Sequence, residues 1–302
     1  MRAKILMAAL LLVSAAAPAR ADERLQTLEH DGQKRHYLLR APAPLPADRR
    51  LPLVLVLHGG GGSAANAEQM TGFTAKAREQ GFIVVYPEGS SSLGLMHTWN
   101  AVHCCGHAME KNVDDVGFIR ALLDHLQAHY PVDAQRIYVT GLSNGGMMTH
   151  RLGIELGDRI AAIAPVIATV FGDEVRPVAP VSALMINGAI DDNVPPGGGD
   201  PAGPGRRHWA EGAQVKPTTD QAQFWARADG CSATPMQSDD GIAVHWRYAC
   251  PSQAVEQYLV KDNGHAWPGG EPGRRRADPP NPRFDATTVI WNFFAAHPKS
   301  PH

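Results

Sequence analysis

The sequence predicts an α/β fold in one domain, a mainly parallel sheet flanked by helices, and three observations carry that prediction. First, apolar runs of strand length recur along the 302 residues, at 51–57, 82–86, 137–140, 160–167, 183–186 and 255–260. Most are continuous rather than alternating, as strands covered on both faces are. Second, helical periodicities lie between these runs, the order expected of a parallel sheet wrapped by helices. Third, one run passes into a helical pattern through Gly141-Leu142-Ser143-Asn144-Gly145, a strand–turn–helix junction with serine at its tip.

Each element has its own reason. The run LPLVLVL at 51–57 is the first central strand, followed at once by the glycines of LHGGGG, and FIVVY at 82–86 is the next. Val116, Ile119, Leu122, Leu123, Leu126 and Tyr130 form one helical stripe, with Asp114 or Asp115 available as N-cap. The strand at 137–140 enters the serine turn and a helix at 145–156 leaves it. After the strands at 160–167, 183–186 and 255–260, DATTVIWNFF sets Ala286, Val289, Ile290, Phe293 and Phe294 on one face behind Asp285. Two Gly-, Pro- and Arg-rich stretches, 195–217 and 269–282, are too long for routine connections. They are expected to be mobile rims of a site or surface insertions.

Composition narrows the function. The chain is 44% hydrophobic and 19% charged with a formal charge of −2, an ordinary globular balance without the basic footprint that nucleic acid requires. Residues 1–21 read as a signal peptide: Arg2 and Lys4 precede an apolar stretch, and Ala19-Arg20-Ala21 offers a small-x-small cleavage site. The stretch is shorter than the ~20 residues needed to span a bilayer, so membrane insertion is not expected. The domain is therefore 22–302, secreted or periplasmic. Export makes Cys104, Cys105, Cys231 and Cys250 disulfide candidates. Cys231 and Cys250 flank a turn-and-strand segment and are expected to pair. Cys104 and Cys105 would then pair with each other under strain, because a trans peptide sets their Cα atoms about 3.8 Å apart, or stay as two free thiols.

A serine hydroxyl is a weak nucleophile until a base takes its proton. In a strand–turn–helix elbow of this kind the acid and then the histidine follow the serine in the chain. Asp191 and Asp192 end the strand in INGAIDDNVPP, and His265 ends the strand in VEQYLVKDNGHAWPGG. Both sit where loops meet the catalytic edge of the sheet. His208, His245, His297 and His302 lie in an insertion, a polar-aromatic run and the tail, and are assigned to surface or packing. LHGGGG at 57–62 supplies turns that can aim backbone N–H groups at a substrate oxyanion, and the N–H of Asn144 is the second donor. HCCGH at 103–107 is too cramped to wrap a zinc ion tetrahedrally, so no metal is assigned and no cofactor is implied. Arg206, Arg207 and residues 274–276 are read as solvated loop charges.

With these pieces placed, the chain resembles the secreted esterase family that includes polyhydroxybutyrate depolymerases and bacterial feruloyl and acetylxylan esterases. The resemblance runs from about residue 35 to 294, through LHGGGGSA, YPEG, TWNAVHCCGHA, VDDVGFI, YVTGLSNGGMM, GAIDDNVP, GHAWPGG and DATTVIWNFF. It implies an α/β-hydrolase fold with Ser143, Asp191 and His265 on the triad positions and Gly60 with Asn144 in the oxyanion hole. Asp191 rather than Asp192 takes the acid role by family register, with Asp192 stabilising the turn. Trp99 and Trp267, the loop tryptophans inside family motifs, become candidates for stacking on substrate; Trp209 lies outside them. Asn187 departs from the histidine usual at its position, and the insertion after Pro195 is also unusual. The reading is an exported serine esterase acting on feruloyl, acetyl or hydroxyalkanoate esters. The alternatives are a polyester depolymerase or a non-catalytic polysaccharide- or polyester-binding protein. Relatives that attack solid polyester often carry a linker and surface-binding module; the chain closes soon after Phe294, which tilts the expectation toward soluble or oligomeric esters. Oligomeric state is not legible.

Overall fold

A computed structural model describes residues 24–201, 208–273 and 277–300. The proposed signal peptide, Arg206, Arg207 and residues 274–276 lie outside the described residues. Among the described residues ten strands form one sheet: β1 (Gln26–His30), β2 (Gln33–Arg40), β3 (Leu51–Leu57), β4 (Ile83–Pro87), β5 (Val132–Leu142), β6 (Ala162–Val166), β7 (Ser182–Gly188), β8 (Met236–Asp239), β9 (Ala243–Tyr248) and β10 (Val255–Val260). Six of them run parallel in the order β4-β3-β5-β6-β7-β10, and the β1–β2 and β8–β9 hairpins add antiparallel edges.

The apolar run of β3 explains the layering. Leu53, Leu55 and Leu57 pack on one side with α4 (Asp115–His129) and α5 (Asn144–Glu155). Val54 and Val56 face the other side, toward α1 (Ala64–Thr71), α2 (Phe73–Gln80) and α7 (Ala286–Ala296). A strand alternates its side chains between faces, so a strand with helices on both sides must be apolar throughout. All seven residues of β3 are buried.

The six anticipated strands are all present, with β5 longer than its apolar run because its first half is polar and partly exposed. Edge strands β1 and β8 escaped the pattern because they are not apolar, β1 being QTLEH and β8 fully exposed, whereas β9 is the strand read between Cys231 and Cys250. Helices α1, α2, α3 (Gly106–Glu110) and α6 (Thr218–Ala228) were also not singled out. In α6 only Ala222, Trp225 and Ala226 make an apolar face, too brief a stripe to stand out. The caps resolve as chemistry requires. Asp114 accepts the Gly117 N–H at 2.8 Å as N-cap of α4, while Asp115 is buried and paired with Arg35 at 2.6 Å. Asp285 caps α7 through the Thr288 N–H.

Both expected disulfides are present, and no described cysteine is free. Cys231–Cys250 ties the segment after α6 to the end of β9, across a separation of 19 residues. The Cys104–Cys105 peptide is cis, not trans as expected, and its Cα atoms lie 3.0 Å apart.

Candidate active site

Strand β5 delivers Ser143 to the sheet edge, and α5 begins at the next residue. Ser143 has φ 57° and ψ −121°, a positive φ that a non-glycine residue adopts only when its surroundings enforce it. Its N–H donates to the Val166 carbonyl at 2.9 Å and its carbonyl accepts the Met147 N–H at 2.8 Å, so both neighbours hold the turn. Gly145 has a steric reason: a Cβ there would strike the backbone carbonyls of Leu57 and His58. The elbow is thereby pressed against the glycine loop after β3.

Three sheet-edge loops bring the triad candidates together. His265 Nε2 lies 2.9 Å from Ser143 Oγ, and His265 Nδ1 lies 2.9 Å from Asp191 Oδ2. Asp191 is an acceptor when ionised, so the imidazole proton belongs on Nδ1 and the Nε2 lone pair faces the serine hydroxyl. Asp191 is 2% exposed, which excludes water from competing for its carboxylate. Its other oxygen accepts the Asn193 and Val194 N–H groups at 2.8 and 2.9 Å. The turn-stabilising role expected of Asp192 therefore belongs to Asp191, and Asp192 is exposed. One carboxylate both closes its loop and orients the histidine.

The histidine loop has a support that the sequence did not reveal. Asp278 Oδ2 accepts the His265 N–H at 2.6 Å, and Asn281 donates its N–H to Asn263 Oδ1 at 2.9 Å. A Cβ at Gly264 would collide with the Asp278 carboxylate. The 269–282 stretch, expected as a mobile rim or a surface insertion, thus braces the histidine at its described residues. Nothing in RRADPP signals this, because the partner is a backbone N–H 13 residues away.

The oxyanion candidates are Gly60 and Asn144. Gly61 N–H donates to His97 O and Gly62 N–H to Gly59 O, while no acceptor among the described residues takes the Gly60 N–H. Asn144 is the first residue of α5, where a helix leaves its N–H groups without internal partners and concentrates positive potential. Its side chain is fully engaged, Oδ1 accepting from Trp99 N–H at 2.7 Å and Nδ2 donating to Trp99 O at 2.9 Å. His58 fixes the glycine loop from beneath. Gly89 N–H donates to its Nε2 at 2.9 Å, so Nδ1 carries the proton and donates to Gly59 O at 2.8 Å. Burial pushes the His58 pKa down to about 4, which keeps that polarity at neutral pH.

A second buried chain supports the acid strand. Trp225 Nε1–H donates to His150 Nδ1, His150 Nε2–H to Gln221 Oε1, Gln221 Nε2–H to Asn187 Oδ1, and Asn187 Nδ2–H to Ala168 O. Every direction follows from the indole, which can only donate. Asn187, the departure from the family pattern, accepts one bond and donates one, as a neutral histidine would.

Trp99 and Trp267 are corrected. Both are 0% exposed, with their indole N–H groups donating to His58 O and Thr287 Oγ1. They pack the floor of the loops, and neither offers a face to substrate. A surface cleft of about 520 Å³, lined by residues including Val170, Glu174, Arg176, Asp220, Phe224 and Arg227, contains none of the triad candidates.

Known proteins agree with this architecture. Residues 36–195 match the family model described as Esterase PHB depolymerase. The protein named "Putative esterase NocK" of Nocardia uniformis subsp. tsuyamanensis is 32% identical over 79% of the chain and 72% of its own length. Feruloyl esterase B of Piromyces equi is 28% identical over 79% of the chain, and poly(3-hydroxyalkanoate) depolymerase C of Paucimonas lemoignei is 27% identical over 75%. The chain spans 44% and 57% of the lengths of these two relatives. An acetyl xylan esterase from Aspergillus awamori superposes with a TM-score of 0.59 at 14% identity, over 80% of the chain and 94% of that structure, a likeness of fold. With its α/β-hydrolase sheet, its serine elbow and these matches, the chain belongs to the Esterase PHB depolymerase family.

Proposed function

We propose that the chain is an exported serine esterase that cleaves carboxylic esters through an acyl-enzyme. The observation that carries this reading is the continuous Ser143–His265–Asp191 chain at 2.9 Å per link. In the first step His265 Nε2 takes the Ser143 proton as Oγ bonds to the ester carbonyl carbon. The oxyanion so formed receives the Gly60 and Asn144 N–H groups. The tetrahedral centre collapses, the C–O bond to the alcohol breaks, and His265 returns the proton to the leaving oxygen. Water then repeats the sequence on the acyl-Ser143, releasing the acid. Asp191 holds the imidazole tautomer and stabilises its cationic form without being protonated.

The substrates proposed are feruloyl- or acetyl-type esters or hydroxyalkanoate esters, in keeping with the names of the relatives. Activity on aliphatic or aromatic polyesters is the second reading, favoured by the depolymerase relative. Export rests on residues 1–21 and on the two disulfides, and among the described residues no helix is long and apolar enough to cross a membrane. Labelling by a fluorophosphonate probe, with Ser143→Ala as control, separates an active serine from a binding protein on the same fold. A panel of p-nitrophenyl acetate, methyl ferulate, acetylated xylan, hydroxybutyrate oligomers, a terephthalate ester and polyhydroxybutyrate film then ranks the substrates. Labelling that survives Ser143→Ala, or no hydrolysis across the panel, defeats the reading.

A further inference from the structure

Three rings sit together and take no part in the chemistry above. His103 and Phe171 have ring centroids 4.8 Å apart, and Phe171 meets Trp209 edge-on at 6.1 Å. They come from three separate loops: the disulfide loop, the segment after β6, and the described end of the 195–217 insertion. Phe171 and Trp209 are rooted in the core, yet all three residues are only partly buried. Motif tryptophans Trp99 and Trp267 have no exposed face, so Trp209 is the loop tryptophan near the elbow able to meet a ligand.

The His103 ring and the backbones that carry Phe171 and Trp209 are held in place. His103 Nε2 pairs with Asp173 Oδ2 at 2.8 Å. The Glu174 carboxylate accepts the N–H groups of Phe171 and Gly172, closing the turn that presents Phe171. Trp209 forms a β-bridge with Cys104, and Ala210 N–H donates to His103 O at 2.9 Å. Cys104 in turn touches the catalytic layer, since Asn144 Nδ2 lies 3.7 Å from its sulfur. The loop that carries Trp209 is thus joined through Cys104 to a proposed oxyanion donor. A prearranged aromatic wall binds a flat ring without first having to order side chains.

We propose that Trp209, Phe171 and His103 form the wall of the substrate crevice that selects a planar ring on the acyl group of the ester. The inference rests on the acyl-enzyme reading given above. His265 must protonate the leaving alcohol, so the alcohol lies on the side of His265. Among the described residues, the hydrogen bonds of His265 reach Ser143, Asp191 and Asp278 and none of the ring-bearing loops. The wall is tied to Asn144 instead, which leaves it to the acyl half.

Methyl ferulate and methyl butyrate share an alcohol and differ in the acyl group, so their ratio of kcat/KM isolates the wall. Trp209→Ala and Phe171→Ala are each expected to lower the ferulate-to-butyrate ratio about tenfold, chiefly through KM, with Trp209→Phe recovering most of it. An unchanged ratio overturns the proposal, and so does a wild-type enzyme that cleaves the butyrate but not the ferulate. A loss confined to acetylated xylo-oligosaccharide also overturns it, by placing the ring on the alcohol side. Melting temperatures of the variants separate misfolding from lost selectivity, and the Trp209→Phe variant decides the matter if Trp209→Ala does not fold. Failure of the acyl-enzyme reading has a different signature: Ser143→Ala would then retain hydrolysis of both esters.

Discussion

The surroundings of Ser143 and those of Trp209 are joined through the Asn144–Cys104 contact, but the chain builds them differently. Around Ser143 the supporting groups are buried and directionally hydrogen-bonded. Asp191 is committed to three bonds, His58 to two, and Asn144 to a closed pair with Trp99. Around Trp209 the rings meet at 4.8–6.1 Å and keep part of their surface in solvent. Proton transfer demands a fixed donor–acceptor geometry, and a buried network supplies it. Ring selection demands an uncovered face, which a fully buried aromatic cannot give. In the same loops, burial converts Trp99 from a ligand contact into scaffold.

The largest expected effect breaks the first region at its centre. Ser143→Ala lowers kcat on the order of 10⁴-fold or more with the fold retained, because Oγ faces the site and its loss opens no core cavity. Steady-state kinetics with circular dichroism check it, and comparable turnover by the folded variant ends the mechanism. Next comes the acid. Asp191→Asn costs on the order of 10³- to 10⁴-fold by presenting the wrong tautomer to His265, whereas Asp192→Asn stays within about twofold. A larger loss at Asp192 would reverse the assignment.

The support of the histidine loop sharpens the contrast further. Asp278→Ala removes the acceptor of the His265 N–H and is expected to lower kcat roughly 10- to 100-fold, by the cost of a small misplacement of a reacting group. Asp278→Asn, which keeps a carbonyl oxygen, recovers part of it; equal losses in the two variants would mean that the charge, not the bond, matters.

The smallest effect concerns stability. Burial pushes the pKa values of His58 and His150 down to about 4, against an ordinary 6.5. As pH falls through about 6.5 the unfolded chain binds these protons, while the folded chain resists them until about 4. Their contribution is full above 6.5 and is lost between those two values. By pH 5 each histidine withdraws about 2 kcal/mol. Urea unfolding at pH 7 and pH 5 measures the drop, and a His150→Gln variant, whatever its own stability, shows a shallower one. Equal slopes in the two proteins contradict the assignment for His150.

The sequence alone determined the parts set by local pattern. Continuous apolar runs marked the parallel strands, because strands covered on both faces have no polar side to show. The elbow was legible because only glycine fits beside Ser143 against the β3 loop, and the order serine, aspartate, histidine follows the order of strand ends. The outermost strands β1 and β8 were silent, since alternation without a strong apolar face resembles a loop. Tertiary structure alone decided the rest. Which of Asp191 and Asp192 closes the turn, how Asp278 reaches the His265 backbone, and which tryptophan keeps a face in solvent all depend on contacts between distant segments. Such contacts are set by how loops pack over the sheet edge, and residue type and spacing carry no record of that packing.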